Sequence, residues 1–181
     1  AYIAETFNKV FNEWGFDLVK LDFLYGAAPF GNERETRAGR MIRAMRLLRT
    51  VCGDHPILGC GVPVMTAFGL VEYCRVSCDV GLDWNDKPIM RIIHRERVST
   101  KQALETSIFR RQLNGRAYLS DPDVFFLRDD NIKLTEIQKR NLATADRLIG
   151  GVYLCSDDMG AYTEEKSALD TSMGGLNRAG G

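Results

Sequence analysis

Residues 16–23 read Phe16-Asp17-Leu18-Val19-Lys20-Leu21-Asp22-Phe23, a short apolar run interrupted by charge at two alternate positions. Successive side chains of a strand point to opposite faces. Lys20 and Asp22 therefore share one face, and Val19, Leu21 and Phe23 the other. Upstream, Ala4, Phe7, Phe11 and Trp14 recur at helical spacing, which predicts an amphipathic helix ended by Gly15. Downstream, residues 33–52 predict a helix with Met41, Ile42, Met45 and Leu48 on its apolar stripe, followed by the turn Gly53-Asp54-His55-Pro56.

The same alternation continues to the end of the chain. Residues 57–60, 73–77, 117–120 and 152–156 read as strands, giving five with the first. Ser99-x-x-Gln102 and Thr135-x-x-Gln138 have the form of capping boxes and open helices to about Leu113 and Ile149; a last helix begins near Thr163. Apolar strands separated by helices mean parallel βαβ units and an α/β fold. Residues 61–72 are just long enough for a cramped crossover. An open doubly wound sheet and part of a (β/α)8 barrel both fit. No Gly-x-Gly-x-x-Gly or Walker motif supports the nucleotide-binding version.

Composition narrows the partners. The 181 residues are 45% hydrophobic and 27% charged, as in ordinary globular chains, with no apolar run near the length of a membrane span. Lys plus Arg equals Asp plus Glu at 24 each, so neither nucleic acid nor an anionic membrane is expected as a partner. Five cysteines without a Cys-x-x-Cys pair argue against a disulfide scaffold or structural zinc, and for reduced thiols in a cytoplasm. His55 sits in a turn and His94 in Ile-Ile-His-Arg, with no His-Glu-x-x-His spacing. Arg37, Arg40, Arg43, Arg46 and Arg49 read as a solvated helix face.

Chemistry concentrates at the C-terminal ends of the strands, where parallel α/β folds place their sites. Lys20 with Asp22, and Arg75 with Ser77 and Asp79, each put charge on one strand face. An opposite charge holds one carboxylate ionised, while burial or a like charge keeps another protonated. Two such carboxylates on either side of a sugar perform glycoside hydrolysis. The same pairs serve equally as structural ion pairs, and periodicity does not separate the two readings. Cys60-Gly61 leaves room for close approach of a ligand, or is simply a buried cysteine and a turn. Trp84 lines a pocket or packs in the core. Asp121-Pro122-Asp123 and Ser156-Asp157-Asp158 either accept hydrogen bonds from sugar hydroxyls, orient Lys20 and Arg75, or form a bracing network, the reading favoured here; the calcium-loop spacing is absent.

Together these segments resemble glycoside hydrolase family 36, the bacterial-type α-galactosidases of clan D. Trp14 to Phe23 is similar to the nucleophile strand with its Lys-x-Asp core. Ile57 to Pro63 is similar to the Cys-Gly-x-Pro segment, and Tyr73 to Asp79 to the Arg-x-x-x-Asp acid/base segment. Leu119-Ser120-Asp121-Pro122-Asp123 resembles the Asn-Asp-Pro-Asp stretch, with Ser120 in place of asparagine. Ser156-Asp157-Asp158 resembles the eighth-strand signature.

The resemblance implies strands four to eight of a (β/α)8 barrel with their helices, so that residues 1–181 would be the C-terminal part of a catalytic domain whose strands one to three and β-sandwich lie elsewhere. It implies Asp22 as nucleophile and Asp79 as acid/base, with Lys20, Cys60 and Arg75 in contact with the sugar; Gly61 and Trp84 are the further substrate-binding candidates that the residues themselves offer. It implies no cofactor and no metal. The expected activity is retaining hydrolysis of terminal α-galactosides through a covalent galactosyl intermediate, in a bacterial cytoplasm. Hydrolysis of α-N-acetylgalactosaminides, galactosyl transfer, or non-catalytic carbohydrate binding are the alternatives. Open strand edges lead us to expect an isolated chain of this length to self-associate, a homo-oligomer without activity.

Overall fold

The structure, a computed structural model, describes residues 2–32, 34–93 and 98–175; Glu33 and His94 lie outside the described residues. The chain divides into two compact units. The first is Ala1–Arg75 with Arg116–Leu119, the second Val76–Gly115 with Ser120–Gly181. No described helix is long and apolar enough to cross a membrane.

The first unit is built on three parallel strands, β1 (Val19–Leu21), β2 (Ile57–Gly59) and β3 (Tyr73–Arg75), in that order. Val19 pairs with Ile57 and Leu21 with Gly59; Leu58 pairs with Tyr73. The α/β class with parallel strands is therefore as the sequence predicts. The opening helix is shorter than its pattern. α1 (Tyr2–Asn8) passes into a π turn, Lys9–Glu13. A π turn adds a residue per turn and so rotates the residues after it about the helix axis. Phe11 stays buried, while Trp14 ends up exposed.

α2 (Arg37–Cys52) starts where the Thr36 hydroxyl accepts the Gly39 N–H at 3.1 Å. Met41, Met45 and Cys52 form its buried stripe, and Gly53 at φ 58 stops it. The arginine run is not simply solvated. Arg37 donates to Ala28 O, Arg40 to Phe30 O and Arg43 to the Glu35 carboxylate. These bonds tie down the loop after β1. Arg49 donates to both Glu72 carboxylate oxygens, at 2.9 and 3.0 Å. Glu72 in turn accepts the Ile57 N–H at 2.8 Å, and its carbonyl accepts the N–H of Leu119, the first residue of β4 (Leu119–Asp121).

The exits of β1 and β2 are laced by backbone bonds. Cys60 N–H donates to Leu21 O at 2.8 Å, Leu24 N–H to Cys60 O at 3.3 Å, and Tyr25 N–H to Gly61 O at 2.7 Å. Phe23 leaves the alternation predicted for it: its φ of 53° turns the chain into the 3₁₀ turn Leu24–Ala27. Gly61 makes the approach feasible. At φ 60, an added Cβ would lie 3.1 Å from the Phe23 Cα and N.

The second unit holds α3 (Pro88–Ile93), α4 (Thr100–Arg110), β5 (Val124–Phe125), α5 (Glu136–Ile149), β6 (Leu154–Cys155) and α6 (Glu164–Gly175). β5 and β6 pair in parallel, Val124 with Leu154 and Phe125 with Cys155. β5 is not foreseen from the sequence, because two residues show no period. Its core gathers Val80, Ala103, Phe125, Leu127, Leu142 and Ala143. The Thr135–Gln138 capping box is complete, with bonds of 2.9 and 3.3 Å. The Ser99–Gln102 box is half made: Ser99 accepts the Gln102 N–H, while the Gln102 side chain bonds Thr106 instead.

Carboxylates brace this unit. The Asp157 carboxylate accepts the N–H groups of Leu127 and Arg128 and the Tyr162 hydroxyl, and lies 3.6 Å from the Arg128 guanidinium. Lys139, 2% exposed, donates to Arg128 O, Asp129 and Glu136. Asp129 also takes Lys166, and its carboxyl is held down to about 2 by the hydrogen bonds from Lys139 and then Lys166.

Two substitutions test these braces. Asp157→Ala strands two backbone donors and should cost roughly 3 kcal/mol in chemical denaturation, on the scale of buried charged hydrogen bonds. Asp158→Ala, which loses only an exposed cap to Gly160 N–H, should cost under about 1 kcal/mol. Gly61→Ala meets backbone atoms at positive φ and should cost roughly 1–3 kcal/mol in the same assay; an unchanged midpoint would mean that the two strand exits are not in contact.

Candidate functional site

The parallel register sets the centre of the site. Leu21 pairs with Gly59, so the next residues along, Asp22 and Cys60, fall beside each other at the strand exits. The Phe23 N–H donates to Asp22 Oδ1 at 2.7 Å, and the Cys60 thiol is the side chain with the largest effect on the same carboxylate. Cys60, then the Phe23 N–H, with the charges of Lys20 and Arg75 behind them, hold the Asp22 carboxyl below the ordinary aspartate range. Asp22 itself is exposed, so its charge faces outward from a set of donors.

Cys60 is complementary. Burial, then the Asp22 carboxylate beside it, pushes its thiol up to about 11, so it keeps its proton and remains a donor. Arg75 is 6% exposed, and Lys20 is open to solvent. Five of the residues singled out from the sequence thus gather in the first unit: Lys20, Asp22, Cys60, Gly61 and Arg75. The arrangement presents an ionised carboxylate at the end of a rigid strand, flanked by two cations and a small neutral donor. Such a group can act as a nucleophile or stabilise positive charge developing in front of it.

Asp79 and Trp84 belong to the second unit. Asp79 is exposed, and the chain on either side of it is fixed. Ser77 donates to Pro122 O at 3.0 Å, and Val80 N–H donates to Asp123 Oδ2 at 2.7 Å. Asp123, at φ 92, is itself positioned by its N–H on Asp121 Oδ1 at 2.9 Å. Trp84 is half-buried against the unit's core, and its carbonyl accepts the Lys101 N–H, which ties it to the start of α4.

One contributor escapes detection in the sequence, the Phe23 backbone N–H on Asp22 Oδ1. Asp123, read from the sequence as part of a bracing network with Asp121, orients the residue after Asp79, and Asp121 in turn accepts the N–H two residues on. A cavity of about 810 Å³ opens between Phe7, Phe11, Cys52 and His55. It lies by the turn that enters β2, the opposite end of the strand from Cys60, and holds none of the site residues. Its aromatic wall is the Phe11–His55 stack, with centroids 3.9 Å apart. Among the described residues no three His, Cys, Asp or Glu side chains converge to hold a metal ion.

No family model matches the chain. Among solved structures it is similar to the α-galactosidase of Thermus thermophilus in complex with stachyose, at 28% identity and a TM-score of 0.80 over 94% of this chain and 36% of that one. The same enzyme in complex with p-nitrophenyl α-D-galactopyranoside matches at 28% identity and 0.80, over 95% and 35%. α-Galactosidase I of Mortierella vinacea matches at 16% identity and 0.67, over 91% of this chain and 44% of that one, a likeness of fold alone. The chain spans about a third of the length of the Thermus enzyme's chain. It has an α-galactosidase-like α/β fold with parallel strands, carried by part of the length of such an enzyme.

Proposed function

We propose that this chain supplies strands four to eight, with their helices, of the (β/α)8 catalytic barrel of a retaining α-galactosidase of glycoside hydrolase family 36. The observation that carries the proposal is the exposed Asp22 carboxylate, held ionised by Cys60, the Phe23 N–H, Lys20 and Arg75 at a strand exit. The likeness to an enzyme solved with stachyose and with an aryl α-galactoside supports the substrate class.

In this reading a terminal α-galactosyl group lies with its anomeric carbon over Asp22. The carboxylate attacks that carbon while Asp79, protonated, gives its proton to the departing glycosidic oxygen. A water molecule then enters, Asp79 takes its proton, and a second displacement frees Asp22 and restores the α configuration. Retention calls for carboxyl groups about 5–5.5 Å apart, or somewhat wider in α-specific sites. Lys20, Cys60 and Arg75 donate hydrogen bonds to the sugar hydroxyls, Gly61 leaves room for the ring, and Trp84 contributes an apolar wall. Keeping Cys60 protonated serves two ends: it remains a donor and adds no competing negative charge beside the nucleophile.

The test uses the natural protein that carries this sequence, assayed with p-nitrophenyl α-galactopyranoside. Asp22→Ala should lower turnover by several orders of magnitude. Azide should then restore it on an activated substrate and yield the inverted β-galactosyl azide. Wild-type rates in Asp22→Ala would refute the assignment. pH adds a second check. A depressed nucleophile pKa means that the acidic limb of kcat/KM lies below the ordinary aspartate value. Cys60→Ala removes the largest cause of that depression and should move the limb to higher pH, and Cys60→Ser should move it back. A limb that stays in place in Cys60→Ala would show that the thiol does not act on the carboxylate.

A further inference from the structure

Immediately after Asp22 the chain does something a bulky residue rarely does. Phe23 adopts φ 53 and ψ 32, the left-handed region that glycine and asparagine enter easily and phenylalanine enters only under constraint. The constraint is visible on both sides. Its N–H is fixed on Asp22 Oδ1, its carbonyl accepts the Gly26 N–H at 2.9 Å, and the next two N–H groups are held by Cys60 O and Gly61 O. A glycine would satisfy every one of these bonds with less strain. The backbone therefore does not require a phenyl ring at this position.

Among the described residues the ring is not part of a core either. Phe23 is 70% exposed and Tyr25 53% exposed. The two meet edge to face, with centroids 6.1 Å apart and planes at 80°. Tyr25 is held in turn by its N–H on Gly61 O, and the bare Gly61 Cα faces the Tyr25 ring edge. An aromatic pair is thus presented to solvent on a strained but well-bonded backbone, one residue from an ionised carboxylate. Backbone strain retained at such a place points to function.

We propose that Phe23, braced by Tyr25, is the aromatic platform on which the galactosyl ring rests while Asp22 faces its anomeric carbon. The proposal rests on the functional reading above and deepens it by assigning a sugar contact to a residue with no polar chemistry. The C–H face of a pyranose is apolar, and an aromatic ring offers it a flat apolar partner. Resting the sugar there limits its tilt relative to a carboxylate held by the same residue's N–H.

The backbone geometry gives the test its power, because the two roles predict opposite movements. In the natural protein carrying this sequence, Phe23→Gly and Phe23→Asn suit the left-handed conformation and should leave Tm unchanged or raised. The same variants should raise KM for p-nitrophenyl α-galactopyranoside and the inhibition constant of free galactose by about tenfold. Phe23→Tyr, which keeps the ring, should retain wild-type binding. Wild-type KM and galactose inhibition in Phe23→Gly would overturn the platform while leaving the glycosidase reading intact. A fall in Tm with unchanged galactose binding would also overturn it, since that is the signature of a structural ring. If the wild-type protein neither cleaves the aryl galactoside nor binds galactose, the functional reading fails and the platform fails with it.

Discussion

A negative charge at a strand exit has to be supplied with donors, and here the strand pairing supplies them. The pairing of Leu21 with Gly59 brings Cys60 abreast of Asp22, and the turn after β1 swings the Phe23 N–H onto the same carboxylate. Gly61 lets the two exits come together, since any side chain there would press on the Phe23 backbone. The remainder of the first unit is arranged around this junction. α2 and its arginines fix the loop that leaves it, and the backbone bonds from Cys60 to Leu21 and from Tyr25 to Gly61 close it.

The second unit handles its carboxylates differently, and the contrast separates support from chemistry. Asp121, Asp123 and Asp157 are turned inward, where each accepts backbone N–H groups. Such groups shape loops and have little left to offer a ligand. Asp22 and Asp79 are exposed, each on a segment whose neighbours are hydrogen-bonded on both sides. A rigid mount beneath an accessible acid is what a positioned reactive group requires.

Much of this is legible in the sequence, for reasons that can be named. Lys20 and Asp22 stand out because a period of two is hard to imitate by chance in an apolar run. The complete Thr135 box and the buried Met41–Met45 stripe are readable from spacing alone. The failures are equally specific. Trp14 leaves its predicted face because a π turn intervenes, and nothing in residues 9–13 announces one. Phe23 leaves the strand because a carboxylate captures its N–H, a local event that overrides alternation. Four of five arginines reach loops that only the folded chain brings near. β5 is too short to carry a pattern.

The Glu72 junction has a consequence for how the chain tolerates insertion and deletion. One side chain grips Arg49 at the end of α2 and the first N–H of β2, while its own carbonyl holds Leu119. The turn between α2 and β2 is therefore measured at both ends. Losing or gaining one residue there would shift β2 against β1 by one place, exchanging the faces of every side chain on it. Cys60 would then no longer stand level with Asp22. The four residues from Gly53 to Pro56 thus act as a ruler for a contact formed at the far end of the strand.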